Sequence, residues 1–238
     1  PKDKSSVRGG PGFELLFNVH NLLKKRKVRD KFELIFFAPM PTPGARLGKN
    51  SVKMMERMFS SFNIKSHYGS KIVSFSNNRV TFADDLHIDA DMIMFIPANT
   101  GHPVVADSGL PLSESGYIKI DNFCKVPDVD DVWAIGDVAQ LDGPDWKAKQ
   151  GHIAEIMARN TVHNIVVEES RTGKKKGYQE HLNILCVIDI GNGAAFVYRD
   201  NHKAKMIPLP IIGHIIKKGW GAYAKAIKLK KFPRLPGL

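Results

Sequence analysis

Cysteine is scarce: Cys124 and Cys186 are the only two in 238 residues. That is too few to frame a disulfide-stapled scaffold, and the pair lacks the spacing of a zinc site. No apolar run reaches the roughly 18 to 20 residues of a bilayer span, and the opening residues lack the apolar core of a signal peptide. Repeats, low-complexity tracts and a complete G-x-G-x-x-G are also missing. Acidic residues are absent from 211–238, which holds seven basic ones, so of the formal net charge of +11 only +4 belongs to the rest. Charge gathered at one end points to a local anionic partner, nucleic acid or membrane. What remains is an ordinary globular composition, 43% hydrophobic and 25% charged, able to bury a sizeable core. The start at Pro1-Lys2-Asp3-Lys4, without an initiator methionine, reads as part of a longer protein.

Hydrophobic spacing predicts alternating elements. Leu15, Leu16, Val19, Leu22 and Leu23 recur at helical intervals after Gly9-Gly10-Pro11-Gly12-Phe13-Glu14 and before the basic run 24–27. Residues 32–38 read as a buried strand and 52–62 as an amphipathic helix, the rhythm of a βαβ dinucleotide-type domain. That strand ends in Ala38-Pro39 where a ribose-binding acid belongs, which argues against tight NAD binding. Segments 72–75, 79–82 and 86–88 read as a small meander, and 91–96, 116–120 and 132–135 as further strands. After a charged linker at 168–177, strands at 183–188 and 194–198 flank Gly191-Asn192-Gly193, a strong hairpin signal.

The most informative stretch is Val132-Trp133-Ala134-Ile135-Gly136-Asp137. An apolar run ending in Gly136 leaves Asp137 at a strand tip, facing a helix expected to open near Lys147. Ligands of open α/β folds sit at that place, where an acid can accept hydrogen bonds from hydroxyls. A plain turn satisfies the same physics. Trp133-Ala134-Ile135-Gly136-Asp137-Val138-Ala139 resembles the second flavin motif of the two-dinucleotide-domain flavoproteins. The run Lys149-Gln150-Gly151-His152-Ile153-Ala154-Glu155 resembles the flavin-edge helix of sulfide:quinone oxidoreductases and flavocytochrome c sulfide dehydrogenases.

The resemblance extends over most of the chain and implies an α/β fold. Its parts would be a Rossmann-like βαβ domain with an inserted β-meander, a partial FAD-binding domain, and a C-terminal β-hairpin plus amphipathic helix. The implied segments are 1–98, a degenerate NAD-like domain; 99–170, the C-terminal half of an FAD-binding domain; and 171–238, the hairpin and a membrane- and quinone-associated helix. The resemblance implies FAD, in the full-length protein, with Gly136 and Asp137 on its ribityl side. Lys149, Gln150 and Gly151 fall near flavin and quinone, and Gly101 in the loop returning to the FAD domain. His152 and Glu155 are weaker neighbours, and solvated helix positions are the alternative for all of these. The family's first FAD-binding half is nowhere in these residues, so this chain alone is expected to be inactive.

Cys186, amid Leu185, Val187 and Ile188, has the setting of an inert core residue. By resemblance, however, Cys186-Val187-Ile188-Asp189 carries one of two redox cysteines, whose thiolate takes up sulfide-derived sulfur. The partner cysteine should precede the Gly-Pro turn, where Arg8 stands instead. Cys124 lies in the wrong region and reads as packing.

In the tail, Ile212, Ile215, Ile216, Trp220, Tyr223 and Ile227 share one arc of about 140°, and Lys217, Lys218, Lys225 and Lys228 face the other way. Such a helix suits an anionic membrane surface, each lysine being worth about 1 kcal/mol there. Packing on its own domain is the alternative. Aromatics that segregate from the lysines speak against nucleic acid. The reading is therefore the C-terminal part of a peripheral membrane, FAD-dependent oxidoreductase carrying electrons from sulfide, or another small donor, to quinone, with a homo-oligomer compatible. Two alternatives stay open: a type II NADH:quinone dehydrogenase-like flavoprotein, and a non-catalytic membrane-interaction module of the same fold.

Overall fold

The computed structural model describes residues 9–42 and 44–233 and divides them into two compact units, 97–184 and the pair of segments 9–96 and 185–233. Arg8 and the end of the tail lie outside the described residues.

In the second unit, β1 (Leu34–Ala38) pairs in parallel with β2 (Ile64–Tyr68), in register from Leu34 opposite Ile64 to Ala38 opposite Tyr68. Helix α2 (Lys49–Ser61) makes the crossover, as parallel neighbours require. Its apolar stripe of Met55, Met58 and Phe59 buries against Phe13 and Phe17 of α1 (Gly9–Lys25) and against Ile64. Phe13 stacks on Phe36 at 4.8 Å between ring centroids. This is the α/β arrangement that the spacing predicts. Strand β2 is an addition: Lys65, Ser66 and His67 interrupt its apolar pattern because only Ile64 is buried.

Strands β3 (Ile72–Ser76), β4 (Arg79–Phe82) and β5 (His87–Asp89) form the expected antiparallel meander. Asn78 and Asp85 take its two turns at φ 59° and 60°, a conformation these residue types tolerate. Residues 91–96 differ from expectation. They form no strand, and Met92 is 74% exposed, with Met94, Phe95 and Ile96 exposed as well. An apolar run becomes a buried strand only if a sheet neighbour covers it, and among the described residues none pairs with this one.

Strands β6 (Ile184–Asp189), β7 (Gly193–Arg199) and β8 (Ala204–Pro210) form a three-stranded sheet in that order, where a two-stranded hairpin is expected. Pro208 and Pro210 sit in β8 opposite Ala195 and Gly193. An edge strand accommodates proline because its outward side needs no N–H. Helix α4 (Ile212–Lys228) packs on β7 and β8.

The unit 97–184 is mostly irregular around α3 (Gly151–Ser170). The strands expected at 116–120 and 132–135 do not form. Ile118 makes single bridges to Leu112 and Ala139, and Trp133 one to Lys125. Left-handed residues interrupt the pairing, Cys124 at φ 66° and Asp131 at φ 55°, and within 132–135 only Ala134 is buried. Helix α3 opens at Gly151, not near Lys147, since Gln150 is still extended. It runs past Glu168, which the linker expectation left outside, and there the Glu168 carboxylate accepts from Lys125 Nζ at 3.1 Å and pairs with Lys175.

Candidate functional site

In the unit 97–184, Gly136 takes φ 67° and turns the chain into a short 3-10 segment, Gly136–Val138. Lys149 fixes that turn from beneath. Its Nζ donates to the carbonyl oxygens of Asp137 and Ala139, both at 2.7 Å, and lies 3.1 Å from the centre of the Tyr117 ring. The side chain is 6% exposed. A buried ammonium is tolerated only when its donors and charge are met, and two carbonyls and a π face meet them here. The Ile118 N–H donates to Val138 O at 3.0 Å, tying the same turn to the next segment. Lys149 thus holds the Gly136-Asp137 turn against the start of α3, and the Asp137 side chain is left at the exposed surface.

Gly136, Asp137, Gln150, Ile153, Ala154 and Met157 line a shallow crease that is closed to a water-sized sphere. No side chain caps the N-terminus of α3, so its first N–H groups keep their partial positive charge. Gln150 Oε1 is buried there without a hydrogen-bond partner among the described residues. At Gly151, which is exposed, an added Cβ would meet nothing within 4 Å. His152 is held elsewhere: its Nε2 lies 2.9 Å from Asn183 Oδ1, and burial lowers its pKa. Gly101 has a packing reason, for a Cβ there would come within 1.6 Å of Gly116 O, while its N–H donates to Ser115 O at 2.7 Å. A wider, open depression of about 360 Å³, lined by Phe75, Ser76, Asn77, Asn78, Ile93 and Phe95, belongs to the other unit and offers no titratable group.

The structure thus gathers Gly136, Asp137, Lys149, Gln150 and Gly151 around one turn and one helix start. Cys186 belongs to the other unit, on β6. Its thiol is free and partly buried, and burial pushes its pKa up to about 11, with Lys217 pulling it down and Glu14 pushing it further up. Around it the sequence hid several partners. The Glu14 carboxylate pairs with Lys217 Nζ, His214 Nδ1 lies 2.8 Å from Asp189 Oδ2, and Asn18 Nδ2 donates to Asp189 O at 3.2 Å. Helical spacing of four between Glu14 and Asn18, and of three between His214 and Lys217, was the only trace of this in the chain. Cys124 is buried and free in the unit 97–184, its thiol raised by burial to about 11. Among the described residues no cluster of His, Cys, Asp or Glu could hold a metal ion.

The family model for the pyridine nucleotide-disulphide oxidoreductases matches residues 26–163, more than half of the chain. The chain belongs to this family. A sulfide-quinone reductase of Aquifex aeolicus (strain VF5) is 28% identical over 240 residues, a match covering 94% of this chain and 54% of that protein. The solved sulfide:quinone oxidoreductase of the same bacterium superposes with a TM-score of 0.79 at 23% identity, covering 90% of this chain and 54% of its own. A NAD-dependent persulfide reductase from A. fulgidus shares the fold more distantly, with a TM-score of 0.52, 13% identity, and coverage of 75% of this chain and 33% of its own. The chain spans about half the length of the curated relative it matches. The Rossmann-like α/β fold expected from the sequence is the fold of these proteins.

Proposed function

We propose that this chain is the C-terminal part of a peripheral membrane, FAD-dependent oxidoreductase that transfers electrons from sulfide to quinone. The similarity to a sulfide-quinone reductase along 94% of the chain supports the reaction class. The observation that carries the cofactor is the start of α3: an unpartnered buried acceptor on Gln150 and open space at Gly151, beside an exposed acid on a turn that Lys149 holds in place. These residues fit the ribityl and ring edge of a flavin. Asp137 would accept from ribityl hydroxyls, Gln150 from a ring N–H, and the open N–H groups of α3 would favour negative charge nearby. Bound FAD supplies a two-electron carrier between a sulfur donor and a quinone. The segment 99–170 serves this cofactor, 1–98 is a Rossmann domain without nicotinamide use, and 171–238 brings Cys186 and the membrane helix.

Cys186 would hold sulfide-derived sulfur as a persulfide, an S–S bond whose formation from thiolate and sulfide releases two electrons and a proton, and bound FAD would supply the two-electron acceptor. With Arg8 where the family's second cysteine belongs, it does so without a disulfide partner. Helix α4 supports membrane attachment. Gly213 packs against Ala194 of β7 and Leu209 of β8, His214, Lys217, Tyr223, Ala224 and Ile227 are half-buried, and Ile212, Ile215, Ile216 and Trp220 are exposed, Ile215 at 64% and Trp220 at 51%. A helix that docks through Gly213 and leaves Ile212, Ile215, Ile216 and Trp220 outward, with Lys218, Lys225 and Lys228 alongside, suits an anionic headgroup layer. Among the described residues no helix is long and apolar enough to cross a membrane.

The test is anaerobic mixing of the full-length protein, purified with its flavin, with sulfide and separately with NADH, followed by flavin absorbance. The expected result is bleaching by sulfide that is lost in Cys186→Ala. Bleaching by NADH alone would assign the protein to the NADH:quinone dehydrogenases, and bleaching by neither, or no bound flavin, would leave a membrane-interaction module.

A further inference from the structure

The basic run 24–27 has no part in the site described above. Helix α1 ends there, and Lys24, Lys25, Arg26 and Lys27 are exposed together with Lys31, while Leu22 and Phe32 on either side are each 49% exposed. None of these cations forms an ion pair among the described residues. Arg29 shows what a cation serving the fold looks like in this segment. It donates to His20 Nδ1 at 3.0 Å and to the carbonyl oxygens of Phe62 and Asn63 at 2.9 and 2.7 Å. A helix C-terminus carries about half a negative charge, and Lys24 and Lys25 in the last turn answer it. Lys27 follows at φ 58°, a left-handed position that glycine fills at least cost. The helix end therefore gives no reason for Arg26 and Lys27 to be basic.

The run lies beside the start of α4. Along α1, Glu14 pairs with Lys217, Asn18 donates to the carbonyl of Asp189, whose carboxylate bonds His214, and Asn21 donates to the carbonyl of Ile190. The Ile190 N–H in turn donates to Gly193 O at 3.0 Å, and Gly193 is paired with Pro210, just before α4. The two helices thus run in opposite directions, and the basic end of α1 is on the side of the first turn of α4. Glu14, Asn18, Asn21 and Lys25 share one helical stripe, and at 1.5 Å per residue Lys25 lies about 6 Å beyond Asn21. At that end of α4, Ile211, Ile212 and Ile215 are 71%, 62% and 64% exposed. We propose that Lys24, Lys25, Arg26 and Lys27, with Lys31, form a second contact with an anionic lipid surface, electrostatic where that of α4 is apolar. A headgroup layer accepts the cations and the isoleucines together, whereas a nucleic-acid backbone accepts only the cations. Two contacts fix the orientation of this unit at the surface, which one helix leaves free to turn. The inference rests on the reading of α4 as a membrane helix.

The experiment is co-sedimentation of the full-length flavoprotein with phosphatidylcholine vesicles, pure or containing about one-third phosphatidylserine. The native protein is compared with Lys24→Gln/Lys25→Gln/Arg26→Gln/Lys27→Gln and with Ile215→Ser/Trp220→Ser. A control, Lys53→Gln/Lys71→Gln/Lys174→Gln/Lys203→Gln, removes the same charge at dispersed exposed positions. Each cation near such a surface strengthens binding several-fold, so the α1 variant is expected to bind the anionic vesicles at least about tenfold more weakly, and the control less than about threefold. The difference should vanish on pure phosphatidylcholine and in about 1 M salt, where charges are screened within a few ångströms. Equal binding of the native protein and the α1 variant would overturn the proposal. So would an equal loss in the control, which would make net charge the cause, or a loss that persists on neutral vesicles. Weaker binding of duplex DNA with vesicle binding intact would give the run to nucleic acid and overturn the proposal too. If the α1 variant loses binding and Ile215→Ser/Trp220→Ser does not, the α1 contact stands and the membrane role of α4 falls; the opposite pattern leaves α4 standing and sinks the α1 contact.

Discussion

Lys149 illustrates how a residue can be marked out by sequence while its partners stay hidden. Its position before a helix start marks it for a ligand site, but nothing in the chain tells that its ammonium is held by the carbonyls of Asp137 and Ala139 over Tyr117. Those partners lie 10 and 12 residues away in a turn of no regular period. Removing the ammonium leaves two carbonyl oxygens without their donor, and hydrogen bonds to charged groups are worth about 1.5–3 kcal/mol. Lys149→Met is therefore expected to lower the unfolding free energy by about 3 kcal/mol in denaturant titration; a loss under about 0.5 kcal/mol would mean that the turn holds itself. Cys124 gives a pH-dependent prediction. Folding raises its thiol from 9.0 to about 11 by burial, so the folded state keeps a proton that the unfolded chain releases. The stabilisation is complete below pH 9 and is lost as pH rises to about 11. For a residue 1% exposed this amounts to about 3 kcal/mol. Cys124→Ala should show a correspondingly smaller fall in stability over that window, and an unchanged fall would contradict the burial account.

Elements were legible where their period was strong. Helices α1 and α2 and the meander follow from apolar spacing and turn residues. Strand β8 was hidden by Pro208 and Pro210, which an edge position permits, and β2 by its polar interior. The apolar runs 91–96 and 132–135 misled for the opposite reason: burial is a property of the neighbours, and a run of isoleucine, methionine and phenylalanine does not disclose whether a neighbour is there. In α4 the glycines divide by contact. A Cβ on Gly213 would lie 2.6 Å from Ala194 Cβ and 2.8 Å from Leu209 Cβ, whereas at Gly219 and Gly221 it would meet nothing within 4 Å. Gly213→Ala is expected to cost about 1–3 kcal/mol through overpacking, while Gly219→Ala or Gly221→Ala should gain up to about 1 kcal/mol from helix propensity. Thermal unfolding of the three variants distinguishes a docked helix from a detached one, in which all three would gain alike.

For the molecule as a whole, the charge asymmetry and the outward apolar face of α4 concern the same segment. Seven basic residues without an acidic one follow β8, and the exposed isoleucines and Trp220 lie among them. The family was legible because Gly136-Asp137 and the start of α3 are local in sequence; the two sides of the proposed chemistry, the turn in 97–184 and Cys186 in the other unit, are far apart in the chain, and periodicity cannot join them. The central claim is electron transfer from sulfide to quinone through Cys186, and the most direct test is the initial rate of short-chain quinone reduction by sulfide, catalysed by the full-length flavoprotein on anionic vesicles, compared with Cys186→Ala. The account predicts sulfide-dependent quinone reduction that falls at least about a hundredfold in the variant. Quinone reduction that is independent of sulfide, or equal in the two proteins, would contradict it.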